Sequence, residues 1–218
     1  YLGYMFLYGH GVIKDQRKAF SLFRKAALSG NDKGQGKLGY LYLQGIGVKK
    51  DPKRALKWFK VSAEQENAVS QYNMGLSYQL GLGVPQNYRI AMFWFLKAAK
   101  NNNITSINKI GFLYENGFGV DKNFVKAGEW FRKSASQGDP VGQNSLGLHY
   151  LNGLGVLWDE KKALKWFRKS ANQGYGPGQS NLGDLYRFNK TIGRNDVAAV
   201  SWYRKAAAQG VVRAENAL

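Results

Sequence analysis

Cysteine is absent from this chain of 218 residues, and histidine is scarce. Without cysteine the chain has no disulfide framework and no thiolate metal site. Its two histidines, His10 and His149, are too few for a zinc site of the usual kind. No apolar run approaches the roughly 20 residues that a membrane-spanning helix needs. The sequence therefore predicts no metal, no cofactor and no transmembrane segment, and it leaves the compartment open.

Acidic residues are also few: the chain has 14 Asp and Glu against 32 Lys and Arg, a formal net charge of +18. This excess predicts attraction to anionic partners and salt-sensitive association, but it says little about the fold. The hydrophobic content of 44% is enough for a chain of this length to bury a core. Because the sequence begins without methionine, we expect a fragment of a longer protein.

An internal repeat of 36 residues runs through the chain. Three residue types mark it: Gly3, Gly39, Gly75, Gly111, Gly147 and Gly183; Ala19, Ala55, Ala91, Ala127, Ala163 and Ala199; Trp58, Trp94, Trp130, Trp166 and Trp202. A glycine loop that leads into a basic helix, as in LQGIGVKKDPKRALKWF at 43–59, is one way to hold a phosphate group. A phosphate site occurs once or twice in a chain, whereas this loop recurs in repeat after repeat. We therefore interpret it as a turn.

Each repeat is predicted to hold two helices joined by the glycine turn. In residues 35–44 apolar side chains recur at helical spacing, and the glycines that follow can adopt positive φ and end the helix. Asp51 followed by Pro52 is a helix start signal. Equivalent caps are Asp15, Asn87, Asn123, Asp159 and Asn195. Neither helix can bury its apolar stripe alone, so stacking of the repeats must create the core.

The phrases LGYLYLQGIGVKKDPKRALKWFKVSA and LGLHYLNGLGVLWDEKKALKWFRKSANQG resemble Sel1-like repeats, which are relatives of the tetratricopeptide repeat. The resemblance covers essentially the whole chain. It implies an all-α, right-handed superhelical solenoid of antiparallel helix pairs that serves as an adaptor for other proteins. We expect a single solenoid over 1–218. Its repeats are expected at 1–30, 31–66, 67–102, 103–138, 139–174 and 175–210, with the start of a seventh at 211–218.

Some positions depart from the repeat pattern. In the sixth repeat Asn189 and Thr191 replace turn glycines, which puts the turn geometry there in doubt. Glu66 and Asn102 replace the glycine that usually closes a repeat. The sequons at Asn103 and Asn189 permit glycosylation without indicating it.

In related helical-repeat proteins the first helix of each pair lines a concave groove, so the resemblance implies a peptide or protein partner there. Groove positions should vary between repeats, because only varying surface positions can encode one particular partner. The predicted row is Tyr4, Tyr40, Leu76, Phe112 and Leu148, flanked by Tyr72, Asn108, Asn144 and Ser180. The alternative is that this row is partly buried between repeats. Lys37 and Lys109, close to the row, either bind a carboxylate or are solvated.

The second helices carry most of the positive charge. Their predicted outer face includes Lys53, Lys57, Lys60, Lys161, Lys165 and Arg168. One interpretation is a solvated surface, and the other is a surface that binds nucleic acid or another polyanion. Base stacking needs exposed aromatic side chains, whereas Trp58 and Phe59 are predicted to be buried. A solvated surface is therefore the favoured interpretation.

The third repeat interrupts this basic face. Ile90, Phe93 and Leu96 stand where most other repeats have charged or polar residues. They predict a partner contact or a homodimer interface, and the alternative is packing under a neighbouring loop. Trp158, beside Leu157, occupies a turn position that is polar elsewhere. It either anchors a partner or inserts between turns.

No catalytic constellation is visible in the sequence. There is no nucleophile paired with a base, no pair of carboxylates with cleft-like spacing and no set of metal ligands. The repeated Asp15, Asp51 and Asp159 are explained as helix caps. The sequence therefore predicts no enzymatic activity.

Overall fold

A computed structural model describes residues 1–188 and 193–218 of the chain. Within these ranges the protein contains helices and no strand. The helices are α1 (Leu2–Tyr8), α2 (Gln16–Leu28), α3 (Asp32–Gln44), α4 (Pro52–Glu64), α5 (Ala68–Leu80), α6 (Tyr88–Lys100), α7 (Ile104–Asn116), α8 (Phe124–Ser136), α9 (Pro140–Asn152), α10 (Glu160–Asn172), α11 (Gly176–Phe188), α12 (Asp196–Ala207) and α13 (Val212–Glu215). The predicted all-α fold of paired helices is confirmed.

Asparagine and aspartate caps fix where the second helix of each repeat begins. The Asp51 carboxylate accepts the backbone N–H of Arg54 at 2.9 Å. All six predicted caps make this bond, in which a side-chain oxygen satisfies an N–H that the helix leaves unpaired. The six are Asp15, Asp51, Asn87, Asn123, Asp159 and Asn195.

The glycine turn ends the first helix and also permits contact with the preceding repeat. Gly45 follows α3 in the left-handed conformation at φ 74°, and its N–H bonds to the carbonyl of Leu41. Gly47 has φ 69°, and a Cβ there would collide with the carbonyl of Gln16 at the start of α2. Position 47 therefore requires glycine for two reasons: φ is positive there, and a side chain would not fit. The interpretation of the loop as a structural turn is confirmed.

The core within each repeat forms where an aromatic ring of the second helix meets a glycine of the first. A Cβ added to Gly39 would lie 2.7 Å from Phe59, which is fully buried. Gly147 stands in the same relation to Phe167, where the distance would be 2.6 Å. Small residues of the first helices therefore allow the close helix approach that the sequence predicts.

The chain divides into two compact units. Unit 1 comprises Tyr1–Ser106 with Phe118–Val120, and unit 2 comprises Ile107–Gly117 with Asp121–Leu218. In unit 1 one apolar cluster is built on α2, α3, α4 and α5, and a second joins α1, α2 and α3. In unit 2 three clusters follow α8 to α13. Consecutive helices supply each cluster, so neighbouring repeats within a unit bury one another's apolar faces.

Two repeat-closing positions hold the left-handed conformation without a glycine. Glu66 and Asn102 both have φ 62°, whereas Gly138 and Gly174 at the equivalent position have φ 86° and 82°. The structure keeps the closing conformation even where a side chain makes it costly.

The two sequons differ in what the structure shows of them. Asn103 caps α7, where its Oδ1 accepts the Ser106 N–H at 2.9 Å. The second sequon at Asn189, and the turn substitutions at Asn189 and Thr191, lie outside the described residues. Among the helices described here, none has the length and apolar character needed to cross a membrane.

Candidate functional site

A pocket of about 350 Å³ opens beside α3 in unit 1. We call it the α3 pocket, and its lining residues are Tyr4, Lys33, Gly36, Lys37, Tyr40, Asn67, Val69, Ser70 and Asn73. Tyr4 and Tyr40 belong to the predicted partner-binding row, and both are exposed. The pocket is therefore open to solvent at the part of unit 1 where the sequence predicts a partner.

Three tyrosine rings surround the Lys37 ammonium at the edge of the α3 pocket. Its Nζ lies 4.7 Å from the ring centroid of Tyr40, 5.0 Å from that of Tyr4 and 5.9 Å from that of Tyr8. Cation–π attraction fixes the lysine among these rings. Lys37, Tyr4 and Tyr40 were predicted at this surface, whereas Tyr8, one helical turn after Tyr4, was not.

Gly36 and Ser70 line the α3 pocket, and the buried Ser62 lies behind them. A Cβ added to Gly36 would lie 2.5 Å from the Ser70 Oγ, so only glycine lets α3 and α5 approach this closely. The Ser62 hydroxyl donates to the carbonyl of Asp32 at 2.7 Å. Its oxygen therefore accepts the proton of Ser70, which lies 2.6 Å away. The Ser70 hydroxyl in the pocket lining is thus already bonded within the fold.

Polar side chains that line the α3 pocket differ in whether they already hydrogen-bond within the fold. Asn67 caps α5, and its Nδ2 donates to an Asp32 carboxylate oxygen at 2.7 Å. Asn73, by contrast, makes no side-chain hydrogen bond to any residue in the described ranges. The Asn73 amide and the Lys33 ammonium therefore remain able to bind a ligand.

The other predicted row residues of unit 1 lie deeper than Tyr40. Leu76 and Tyr72 are half-buried, and the Tyr72 ring lies 5.8 Å from that of Phe95. Burial raises the pKa of the Tyr72 phenol above its ordinary value of 10.0.

In unit 2 the predicted row and its flank include exposed, half-buried and buried residues. Phe112 is exposed and Leu148 is half-buried. Asn108 and Asn144, which the sequence analysis expects at the open face, are instead buried. Ser180, on the same flank, is buried as well.

Hydrogen bonds within unit 2 explain why the two asparagines lie inside. The Asn108 Nδ2 donates to Asp139 at 2.8 Å, and Asn144 accepts from the Asn181 Nδ2 at 2.8 Å. One polar atom of each amide is thus bonded within the fold, whereas the Asn108 Oδ1 is buried without a hydrogen-bond partner among the described residues. The two buried side chains are not available for a partner in this arrangement.

The apolar residues of the third repeat lie at the surface of α6 in unit 1. We call Ile90, Phe93 and Leu96 the α6 patch, and their exposed fractions are 37%, 50% and 42%. Trp158, before α10 in unit 2, is 58% exposed, and Leu157 beside it is also exposed. None of these side chains is covered by a loop of the described chain.

The predicted basic residues all lie at the surface. Lys53, Lys57 and Lys60 are exposed on α4, as are Lys161, Lys165 and Arg168 on α10. Their helices keep the phenylalanines Phe59 and Phe167 fully buried.

Lysines cover the indoles of four second helices. Trp94, Trp130, Trp166 and Trp202 are half-buried, and each has a lysine ammonium three residues later at 4.2–5.3 Å from its ring. These pairs were not predicted, although the Trp-x-x-Lys spacing recurs every 36 residues from Trp94 to Trp202. A covered indole face is a poor platform for a nucleic-acid base.

The Sel1 repeat family model matches six stretches of the chain, at residues 1–31, 33–67, 68–103, 105–139, 140–175 and 176–211. None of the curated protein sequences matches this chain significantly.

Several solved structures are similar to the chain. A Sel1 repeat protein from Oxalobacter formigenes is 35% identical with a TM-score of 0.89, over 98% of this chain and 85% of that protein. A protective antigen of uropathogenic Escherichia coli is 36% identical with a TM-score of 0.70. That match covers 98% of this chain but only 54% of the antigen, so the chain spans about half of its length. An immunity protein from Pseudomonas aeruginosa shares the fold, at 21% identity and a TM-score of 0.58 over 93% of this chain and 76% of its own.

Proposed function

The chain belongs to the Sel1 repeat family, and we propose that it is a scaffold that binds a peptide or a folded protein along the exposed side of its first helices. Sel1 repeat proteins are generally protein–protein interaction scaffolds and are typically non-catalytic. The finer proposal, that first helices carry the binding site, rests mainly on the α3 pocket.

The α3 pocket combines the three kinds of group that peptide recognition needs. The rings of Tyr4 and Tyr40 offer rigid apolar surface, and tyrosine is among the residues that most often dominate binding energy. The Asn73 amide can bond to a peptide backbone group. Lys33 and Lys37 supply positive charge for an acidic side chain or a terminal carboxylate. A peptide with an apolar side chain beside an acidic group fits this set.

In this proposal each unit also contributes predicted row residues outside the α3 pocket. Leu76 in unit 1, and Phe112 and Leu148 in unit 2, are the row residues with solvent-accessible surface. Tyr72 is half-buried on the flank of the row, and its ring lies against that of Phe95. The proposal makes no use of Asn108 and Asn144, whose amides are bonded within unit 2.

The test is a comparison of two alanine variants in binding to a partner isolated with the intact chain. Tyr40→Ala should weaken binding by about 1 to 3 kcal/mol if Tyr40 is an anchor. Lys57→Ala, which removes an exposed lysine from the outer face of α4, is the matched control and should leave the affinity almost unchanged. Equal affinities for the wild-type chain and for Tyr40→Ala, Leu76→Ala and Phe112→Ala would refute binding at the first helices.

The alternative proposal is that the lysines of the second helices bind nucleic acid or another anionic surface. The net charge of +18 favours it, whereas the lysine-covered indoles do not. A binder of this kind loses affinity steeply as salt rises, because each phosphate contact releases counterions. Measuring the partner's affinity at two salt concentrations separates the proposals, since contacts with the tyrosines should retain much of the affinity.

A further inference from the structure

The α6 patch is an apolar stripe on a face that is elsewhere charged or polar. Its residues follow at three-residue intervals, so they lie on one side of the helix. At the position of Phe93 the second helices of other repeats hold Ser21, Lys57, Glu129, Lys165 and Ser201. Contiguous exposed apolar side chains mark an interaction site more often than an ordinary surface.

Phe93 is held in place before any partner arrives. Its ring meets the ring of Trp94 edge to face, with centroids 5.4 Å apart. Trp94 in turn packs against the apolar cluster of unit 1 that contains Phe59. An anchor that is already ordered loses little conformational entropy on binding.

Positive charge borders the α6 patch. Arg89, Lys97 and Lys100 are exposed on α6 itself, and the Lys97 ammonium lies 4.8 Å from the centre of the Phe93 ring. The nearby acidic residues, Glu64 and Glu66, line a small recess with Lys97 and Lys100 at the C-terminal end of α6. Cations therefore dominate along the patch, in a chain whose net charge is +18.

This charge argues against a second copy of the chain as the occupant. Two copies meeting at the α6 patch would bring the same cations together, and like charges across an interface oppose association. A partner with carboxylates beside its apolar residues would instead gain from the same charges.

We propose that the α6 patch binds an amphipathic helix of a partner protein whose apolar stripe is flanked by acidic residues. Residues 90 to 96 extend over about 9 Å of α6, given a rise of 1.5 Å per residue. That length accepts the side chains that a partner helix presents at positions i, i+3 or i+4, and i+7. This surface is separate from the α3 pocket and does not depend on it.

The experiment measures fluorescence anisotropy of two synthetic helical peptides with the full chain. One peptide has a leucine stripe flanked by glutamates, and the other has lysines in place of the glutamates. We expect the glutamate peptide to bind and the lysine peptide to bind at least about tenfold more weakly. Phe93→Ser should weaken the glutamate peptide by about tenfold or more. Phe93 is exposed, so circular dichroism of this variant should match that of the wild type.

Two control variants distinguish binding at the α6 patch from general attraction to the basic surface and from binding in the α3 pocket. Lys57→Ser makes the equivalent change on α4 and should alter the affinity less than about twofold. Tyr40→Ala should have no effect, because it tests the α3 pocket alone. Equal losses in Phe93→Ser and Lys57→Ser, equal binding of both peptides, or no binding of the glutamate peptide would overturn the proposal. A dimer in light scattering that Phe93→Ser converts to a monomer would instead identify a second copy as the occupant.

Discussion

Replacing Gly147 with alanine tests the claim that glycine in the first helix is needed for helix packing. A Cβ at this position would lie 2.6 Å from Cε1 and 2.7 Å from Cδ1 of Phe167. Ordinary carbon contacts are about 3.5 to 4 Å, so the helices or the ring must move by roughly 1 Å. Phe167 is fully buried among Ala163, Leu182 and other core residues, which leaves the ring little room.

The expected effect combines two opposing contributions. Overpacking a core by a methyl group costs about 1 to 3 kcal/mol. Alanine is about 1 kcal/mol more favourable than glycine inside a helix. Because the approach of 2.6 Å is to a fully buried ring, the cost lies in the upper part of that range, at about 2 to 3 kcal/mol, and the free energy of unfolding should fall by about 1 to 2 kcal/mol in Gly147→Ala. Urea unfolding followed by far-UV circular dichroism measures this change as a lower midpoint.

A matched control and a double variant identify the cause. Gly128→Ala makes the same change inside α8, where the nearest atom to a new Cβ is the His149 Nδ1 at 3.3 Å. It should cost less than Gly147→Ala. Phe167→Leu removes the Cε1 atom that the new methyl meets, so the double variant should be more stable than the sum of the single effects by about 1 kcal/mol. A Gly147→Ala variant as stable as the wild type, or strictly additive effects, would refute the packing argument.

Two further predictions concern the backbone and the acid stability of the fold. Glu66→Gly should raise the free energy of unfolding by about 0.5 to 1 kcal/mol, because glycine adopts φ 62° without strain. Gly174→Ala, at φ 82° with nothing within 4 Å, should lower it by about 1 kcal/mol from the backbone alone. The backbone N–H of Lys162, followed by its ammonium, lowers the pKa of Asp159 below the ordinary 3.8. The resulting stabilisation is present above that value and is lost as pH falls through the lowered pKa. Asp159→Asn keeps a cap without this titration, so its melting temperature should fall less on acidification below pH 3.8 than that of the wild type. If the melting temperatures of the two proteins fell equally on acidification, this assignment would be contradicted.

The features that repeat every 36 residues could be predicted from the sequence because each has a local cause. The caps at Asp51 and Asp159 bond to an N–H three residues ahead. The left-handed glycines end a helix through bonds within the same turn. These local bonds form whichever helices pack together. They explain why helix identity and approximate boundaries followed from sequence alone.

A second repeated feature is a glutamine near the start of four of the first helices. Buried glutamines stand at Gln35, Gln71, Gln143 and Gln179. In unit 1 the Gln35 Nε2 donates to the Ala27 carbonyl at 3.3 Å, and its Oε1 accepts from the Gln65 Nε2 at 2.7 Å. Each glutamine thus joins its own helix to the second helices on either side. A polar residue at a fixed interval was a signal for such a bond, but its partner depends on the packing.

The predicted row shows the limit of what helical periodicity can predict about burial. Helical spacing indicates the side of a helix to within about one turn, but the boundary between buried and open positions depends on how closely the next helix lies. Tyr40 falls on the exposed side of that boundary. Asn108 and Asn144 fall on the other side, and the groups that bond to them come from positions 31 and 37 residues later in the chain. Contacts over such distances have no local signature.

His149 shows why departure from the repeat does not by itself identify a partner-binding residue. No other repeat has histidine at this position, yet the side chain is 1% exposed. Its Nδ1 lies 2.7 Å from the carbonyl of Leu154, which can only accept, so Nδ1 carries a proton and ties α9 to its own glycine turn. Its Nε2 lies 3.4 Å from Glu115, and its ring packs against that of Phe131.

A residue that departs from the repeat therefore indicates a partner only when it is also exposed and chemically out of place. Phe93 and Trp158 meet both conditions, because large apolar side chains stand in the open at positions that are polar in most other repeats. His149 does not meet the condition of exposure, because its side chain is buried within unit 2. The same reasoning separates Tyr40 in the predicted row from Asn144 on its flank. Stacking of repeats constrains the positions that recur, and the exposed positions that remain are free to differ from one repeat to the next.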